Sequence, residues 1–181
     1  MPMSPKRAPR IDEESLIEYL RRCTNPTWLD RYLDLIGEVL QVSDLGIDDP
    51  RLVCSLVDGE VYLPVSINYR YVLYAKRANY ATTIICPYNL QTRRDLHLGS
   101  PWSFRQLAGE RHTGAVPPIV VRIDSGQPIA EELREAWHTC LRAEVQRAKA
   151  SPSRRAHNPF VAQAALDVAY RRQLVGFALR G

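Results

Sequence analysis

The stretch "RLVCSLVDGEVYLPVSI", Arg51 to Ile67, most constrains the fold. Apolar residues recur at every second position on both sides of Asp58-Gly59. A period of two puts alternate side chains on one face of a strand, and Asp-Gly suits the positive φ angles of a type I′ hairpin turn. With a two-residue turn, Leu56 faces Val61, Cys54 faces Leu63 and Leu52 faces Val65. All six share one face, so this register is self-consistent. Pro64 falls where a ladder N–H is needed and has none to give, which predicts a bulge, an edge or the end of pairing there. A sheet that is apolar on one side needs a covering layer.

Period two continues through "YRYVLYAKR" (Tyr69–Arg77) and "YATTIICP" (Tyr80–Pro87), with Ala78-Asn79 as the turn between them. A polar connection follows, then a short strand at Phe104–Leu107 and a stronger one at Ile119–Ile123. Helical spacing occupies both ends. Asp12, Glu13 and Glu14 start a helix whose stripe is Leu16, Tyr19, Leu20 and Cys23. Asn25 or Thr24 caps a second helix, with Pro26 in its first turn and a stripe of Leu29, Tyr32, Leu33, Ile36, Val39 and Leu40. A third runs from Pro128, with Leu133, Trp137, Cys140, Leu141 and Val145 on one face. Asn158-Pro159 opens a last helix, about Phe160–Leu179, that is apolar almost all round and therefore expected to be deeply buried or at a subunit interface. The fold class expected is α+β: an antiparallel β-meander over about residues 52–87, plus a strand at 119–123, flanked by an N-terminal helical hairpin and two C-terminal helices. Residues 1–10 read as a disordered basic tail and 11–181 as a single α+β domain.

Charge is distributed unevenly. Residues 1–10 carry +3 and residues 142–181 carry +6, against −5 in residues 11–141, which sums to the net +4. Basic ends on an acidic body point to an anionic partner reached by the termini. No apolar run approaches the ~20 residues of a membrane span. The start, "MPMSPKRAPR", has no apolar segment of a secretory signal. The four cysteines have no CxxC or CxxH spacing, and two of them sit in apolar strand patterns. A cytoplasmic protein with reduced thiols, no metal and no cofactor is the expectation.

Four features could carry chemistry. Six of nine tyrosines fall between Tyr62 and Tyr88, interleaved with Arg70, Lys76 and Arg77. Strict alternation from Arg70 assigns Arg70, Val72, Tyr74 and Lys76 to one wet face, where aromatic rings stack on bases and cations hold phosphates. An ordinary solvated sheet looks the same, because tyrosine is a good strand residue. The second feature is "SFRQLAGERHTG", Ser103–Gly114, with Arg105, Arg111 and His112 between glycines. Such a loop fits a phosphate or carboxylate in an arginine fork, although it matches neither nucleotide-binding glycine motif. Third, the carboxylates and histidines lack metal-ligand spacing, and His138 reads as an exposed residue beside Arg134 and Arg142. Fourth, "KASPSRRAHNP" places Arg154 and Arg155 in a basic linker suited to a phosphate backbone. The Arg171-Arg172 pair is the polar stripe of the last helix and is expected to meet Asp30, Asp34 or Glu38.

These features together suggest a non-catalytic binding module for nucleic acid or another polyanion, using the basic termini with Arg70, Tyr74, Lys76 and Arg111. One alternative is an enzyme or small-ligand domain that binds a phosphate or carboxylate at the 103–114 loop, with His112 as proton carrier. The other is a structural subunit that forms homodimers through the 160–179 helix.

Overall fold

The computed structural model describes residues 11–56, 63–68, 70–76, 81–86, 103–106, 119–124, 126–146 and 156–180. The fold is α+β. Two helices come first, α1 (Glu13–Arg21) and α2 (Pro26–Ser43). Asp12 caps α1 by accepting from Ser15 N–H at 2.7 Å, and Asn25 caps α2 by accepting from Trp28 N–H at 3.0 Å. Six strands follow: β1 (Leu52–Cys54), β2 (Val65–Ile67), β3 (Arg70–Lys76), β4 (Ala81–Cys86), β5 (Ser103–Gln106) and β6 (Ile119–Ile123). They form one antiparallel sheet in the order β1-β2-β3-β4-β6-β5, so β6 inserts beside β4 and leaves β5 on the edge. Three helices close the chain, α3 (Glu131–Gln146), α4 (Pro159–Leu166) and α5 (Val168–Arg180).

The register builds the core. Cys54, Val65, Leu73, Ile84 and Val121 are successive cross-strand partners and all are buried. A second row, Ala75, Thr82 and Ile123, runs parallel to it. The helices lie against this apolar side. Trp137 on α3, fully buried, donates its indole N–H to Val72 O at 3.0 Å. Tyr32 on α2 donates its hydroxyl to Leu63 O at 2.5 Å. Helix α2 packs on α3 and α4, and α1 packs on α5. The close approach of α2 to α4 depends on Gly37, where a Cβ would come within 2.9 Å of Ala165 O.

Three details differ from the sequence expectation. The β1–β2 register pairs Leu52 with Ile67 and Cys54 with Val65, two residues out of step with a tight Asp58-Gly59 turn. A shift of two keeps each side chain on its face, so the apolar pattern does not oppose it. The strands end at Pro64 as expected: Ser55 N–H donates to Pro64 O at 3.0 Å, and proline has no N–H to return. The second difference is in β3. Val65 pairs with Leu73 but Ser66 pairs with Tyr71, so Val72 is an extra residue in a β-bulge. The third is the last helix, which breaks at Asp167 into α4 and α5. Asp167 has extended backbone (φ −110°, ψ 102°), and its carboxylate accepts from Tyr170 N–H at 3.0 Å as the cap of α5. A short polar side chain that competes for local N–H groups makes such a break cheap. Among the described residues the last of the two expected C-terminal helices is thus divided into α4 and α5.

Candidate functional site

The bulge at Val72 resets which β3 residues share a face. Arg70 pairs with Ile67, which pairs with Leu52, so Arg70 extends a buried row on the helix side of the sheet. It is not on the wet strip with Tyr74 and Lys76, contrary to strict alternation. Its guanidinium lies 3.5 Å from Glu144 Oε2 on α3, with the side chains 16% and 2% exposed. Burial pushes the Glu144 carboxyl up to about 7, outweighing the opposing pull of Arg70. The signal for Glu144 was in the sequence: it lies three residues after Leu141 and seven after Trp137, and so sits on the apolar stripe of α3.

The opposite side of the sheet is wetter. Tyr71 and Arg122 are exposed there and Tyr74 is half-buried. Tyr74 pairs with Thr83, Thr83 with Arg122, and Arg122 with Ser103, one row across four strands. Lys76 pairs with Ala81 and Arg105 with Val120, and both positions have the same strand parity as Tyr74 and Arg122. The register therefore puts Tyr74 in one row with Arg122, which sequence reasoning missed, and gives Lys76 and Arg105 the same strand parity. The signal for Arg122 was a lone charge in the middle of "IVVRI". Arg122 Nε meets Asp124 Oδ1 at 2.9 Å, but both side chains are largely exposed, so this pair is weak and easily exchanged. Arg111, His112, Arg154 and Arg155 lie outside the described residues.

Two other charged clusters serve the architecture. Arg171 is 4% exposed. It donates to Asp34 Oδ1 (2.7 Å), Ala164 O (2.9 Å), Ala165 O (3.1 Å) and Asp30 O (3.3 Å). It meets two of the acids expected for it. It also satisfies carbonyls in the last turn of α4, which the break at Asp167 leaves without helical donors. Glu38 Oε1 lies 3.0 Å from Arg134 Nε as an ion pair and meets His138 Nε2 at 2.5 Å, joining α2 to α3. His138 is thus a half-buried interhelical contact and not an exposed residue.

The segment before α4 is also fixed. His157 Nδ1 accepts from Cys54 N–H at 3.0 Å, and its Nε2–H donates to Ile47 O at 2.7 Å. Asn158 N–H donates to Cys54 O at 2.7 Å, and Ser55 Oγ donates to Ala156 O at 3.2 Å. Asn158 is fully buried. Its Oδ1 caps α4 by accepting from Phe160 N–H at 3.0 Å, and its Nδ2 donates to Asp12 O at 3.1 Å.

Among the described residues no group of His, Cys, Asp and Glu side chains is arranged to hold a metal, and no helix is long and apolar enough to cross a membrane. Comparison with protein-family models, curated proteins and solved structures returned no match.

Proposed function

We propose that this protein is a non-catalytic module that binds nucleic acid or a similar polyanion. The observation that carries the reading is the hydrogen bond from Asn158 Nδ2 to Asp12 O. It sets Asp12, which follows the basic segment 1–10 in the sequence (Lys6, Arg7, Arg10), against Asn158, which follows the basic segment 147–155 (Arg147, Lys149, Arg154, Arg155). Two basic segments that adjoin one contact act on one polyanion together, because binding by the first raises the effective concentration of the second. The sheet face with Tyr71, Tyr74 and Arg122 supplies a second contact, by stacking and phosphate neutralisation. Arg70 and Arg171 are committed to internal acids and are excluded from the interface.

The test is fluorescence anisotropy with labelled duplex DNA, single-stranded DNA and RNA across a salt series. Affinity falls linearly with log salt. On duplex DNA, Arg154→Ala with Arg155→Ala lowers the slope by about 2, close to one unit for each phosphate that is no longer neutralised. No binding to any of the three at low salt overturns the proposal.

One observation favours a homodimer as a second reading. Leu166, Val168 and Phe177 are 44%, 48% and 44% exposed, which places much of the exposed large apolar surface of the described residues at α4 and α5. Sedimentation equilibrium decides it: the wild-type mass rises with concentration, and Phe177→Glu abolishes the rise.

A further inference from the structure

In an antiparallel ladder, alternate residues point their N–H and C=O towards opposite neighbours. Ser55 N–H points inward to Pro64, so the N–H and C=O of Cys54 point outward from the sheet edge. Both are occupied by the chain's own later segment. The Cys54 carbonyl accepts from Asn158 N–H, and the Cys54 N–H donates to the imidazole Nδ1 of His157. A side chain stands in for the carbonyl of a neighbouring strand. Covering an edge in this way prevents pairing with another chain.

The ring can do this only when neutral. Nδ1 must present a lone pair to Cys54 while Nε2 carries the proton given to Ile47 O. Protonation at Nδ1 would set one N–H against another. We propose that Ala156–Asn158 is a pH-operated clasp on the β1 edge, closed by neutral His157 and opened by its protonation.

The surroundings agree. Burial holds the His157 imidazole below its ordinary value, while the bond to Ile47 O and the charge of Asp48 pull weakly the other way. In the loop before β1, Asp49 is engaged with Arg51 at 2.7 and 2.9 Å. On β1, burial pushes the Cys54 thiol up to about 12, so it contributes no charge at neutral pH. On the α1 side, Asp12 turns its backbone carbonyl to Asn158 and its carboxylate to Ser15. The first turn of α4, Pro159 to Ala162, carries no titratable side chain. No described neighbour therefore compensates an imidazolium fully. Closure is thus complete above the unfolded-state value of about 6.5 and is lost as pH falls through the lower folded value.

The experiment is amide hydrogen exchange by NMR on the full chain from about pH 7.5 to 5, with the intrinsic exchange rate divided out, alongside ring-nitrogen shifts of His157. Protection of the Cys54 amide is expected to fall with the same midpoint as the ring titration, by about tenfold per unit of depression of the folded value. The Leu73 amide keeps its protection over that range. His157→Gln keeps an acceptor and a donor and does not titrate, so its Cys54 protection stays flat with pH. Should that variant not fold, the shared midpoint in the wild type decides alone. A Cys54 amide that stays protected through the ring titration overturns the clasp. So does one that loses protection only together with Leu73.

Discussion

Gly37→Ala sets two known effects against each other. Gly37 lies in the middle of α2, where alanine is ordinarily better than glycine by about 0.8–1.0 kcal/mol. The new Cβ, however, would sit 2.9 Å from Ala165 O. Carbon–oxygen contacts normally fall at about 3.3–3.6 Å, so the helices must separate by a few tenths of an ångström. The obstructing atom is backbone and cannot rotate away. It is also held in place, because Ala165 O and Ala164 O both accept from the buried Arg171. Overpacking of this kind costs about 1–3 kcal/mol. The balance is a net loss of about 1 kcal/mol, which for a chain of this length lowers Tm by roughly 2–4 °C. Urea unfolding followed by tryptophan fluorescence gives the free energy, and thermal melting gives Tm. In an Arg171→Met background the carbonyl can yield, so the same substitution should cost less, with a coupling of at least about 0.5 kcal/mol. A Gly37→Ala protein more stable than wild type by about 1 kcal/mol would refute the close helix contact, since it would show the propensity gain with no steric cost.

Other perturbations have definite directions. Asn158→Ala removes the α4 cap and leaves the part-buried Phe160 N–H and Asp12 O without this partner; a loss of about 1–3 kcal/mol in urea unfolding is expected, with Asn158→Ser recovering the cap but not the Asp12 bond. Arg171→Met strips donors from Ala164 O, Ala165 O and Asp30 O but leaves Asp34 free to rehydrate; the expected cost is about 2–3 kcal/mol, read in the same assay. Glu144 is raised to about 7 when folded, so it takes up a proton on folding between its unfolded value and about 7. Its contribution to stability is full below the unfolded value and is lost as pH rises through about 7, so the stability of Glu144→Gln relative to wild type should increase from pH 5 to 8; a difference independent of pH would contradict the burial of that carboxyl.

The periods of the sequence carried most of the architecture. The change from helical spacing to alternation at Arg51 located the sheet, and Asp12, Asn25 and Asn158 announced helix starts that the caps bear out. The pairing of Lys76 with Ala81 is the register that a turn at Ala78-Asn79 demands. The bulge was illegible because it depends on pairing: nothing in "YRYVLYAKR" distinguishes Val72 from its neighbours until β2 fixes the ladder. One extra residue moved Arg70 from the wet face to a row shared with Ile67 and Leu52. The β1–β2 register was ambiguous by two because the apolar pattern repeats every two residues. The break at Asp167 was hidden in an apolar run, although the same run held Arg171, expected to meet Asp30, Asp34 or Glu38, which reaches Asp34 and the carbonyls that the break frees. The candidate face was half legible. Alternation alone singles out Tyr74, whereas Arg122 joins it only through the order β3-β4-β6, which no local pattern encodes.

The bond between Asn158 and Asp12 also bears on how the chain is made. Helices α1 and α2 are synthesised first, yet α1 rests on α5 and α2 on α4, and the last residue of α2 lies about 115 residues before Pro159. At synthesis rates of about 5–20 residues per second, their apolar stripes wait on the order of ten seconds for their partners to emerge. Contacts between distant parts of a chain also slow folding itself. The apolar stripes of the N-terminal hairpin are therefore left uncovered for that time, and Asn158 is among the residues whose arrival ends it.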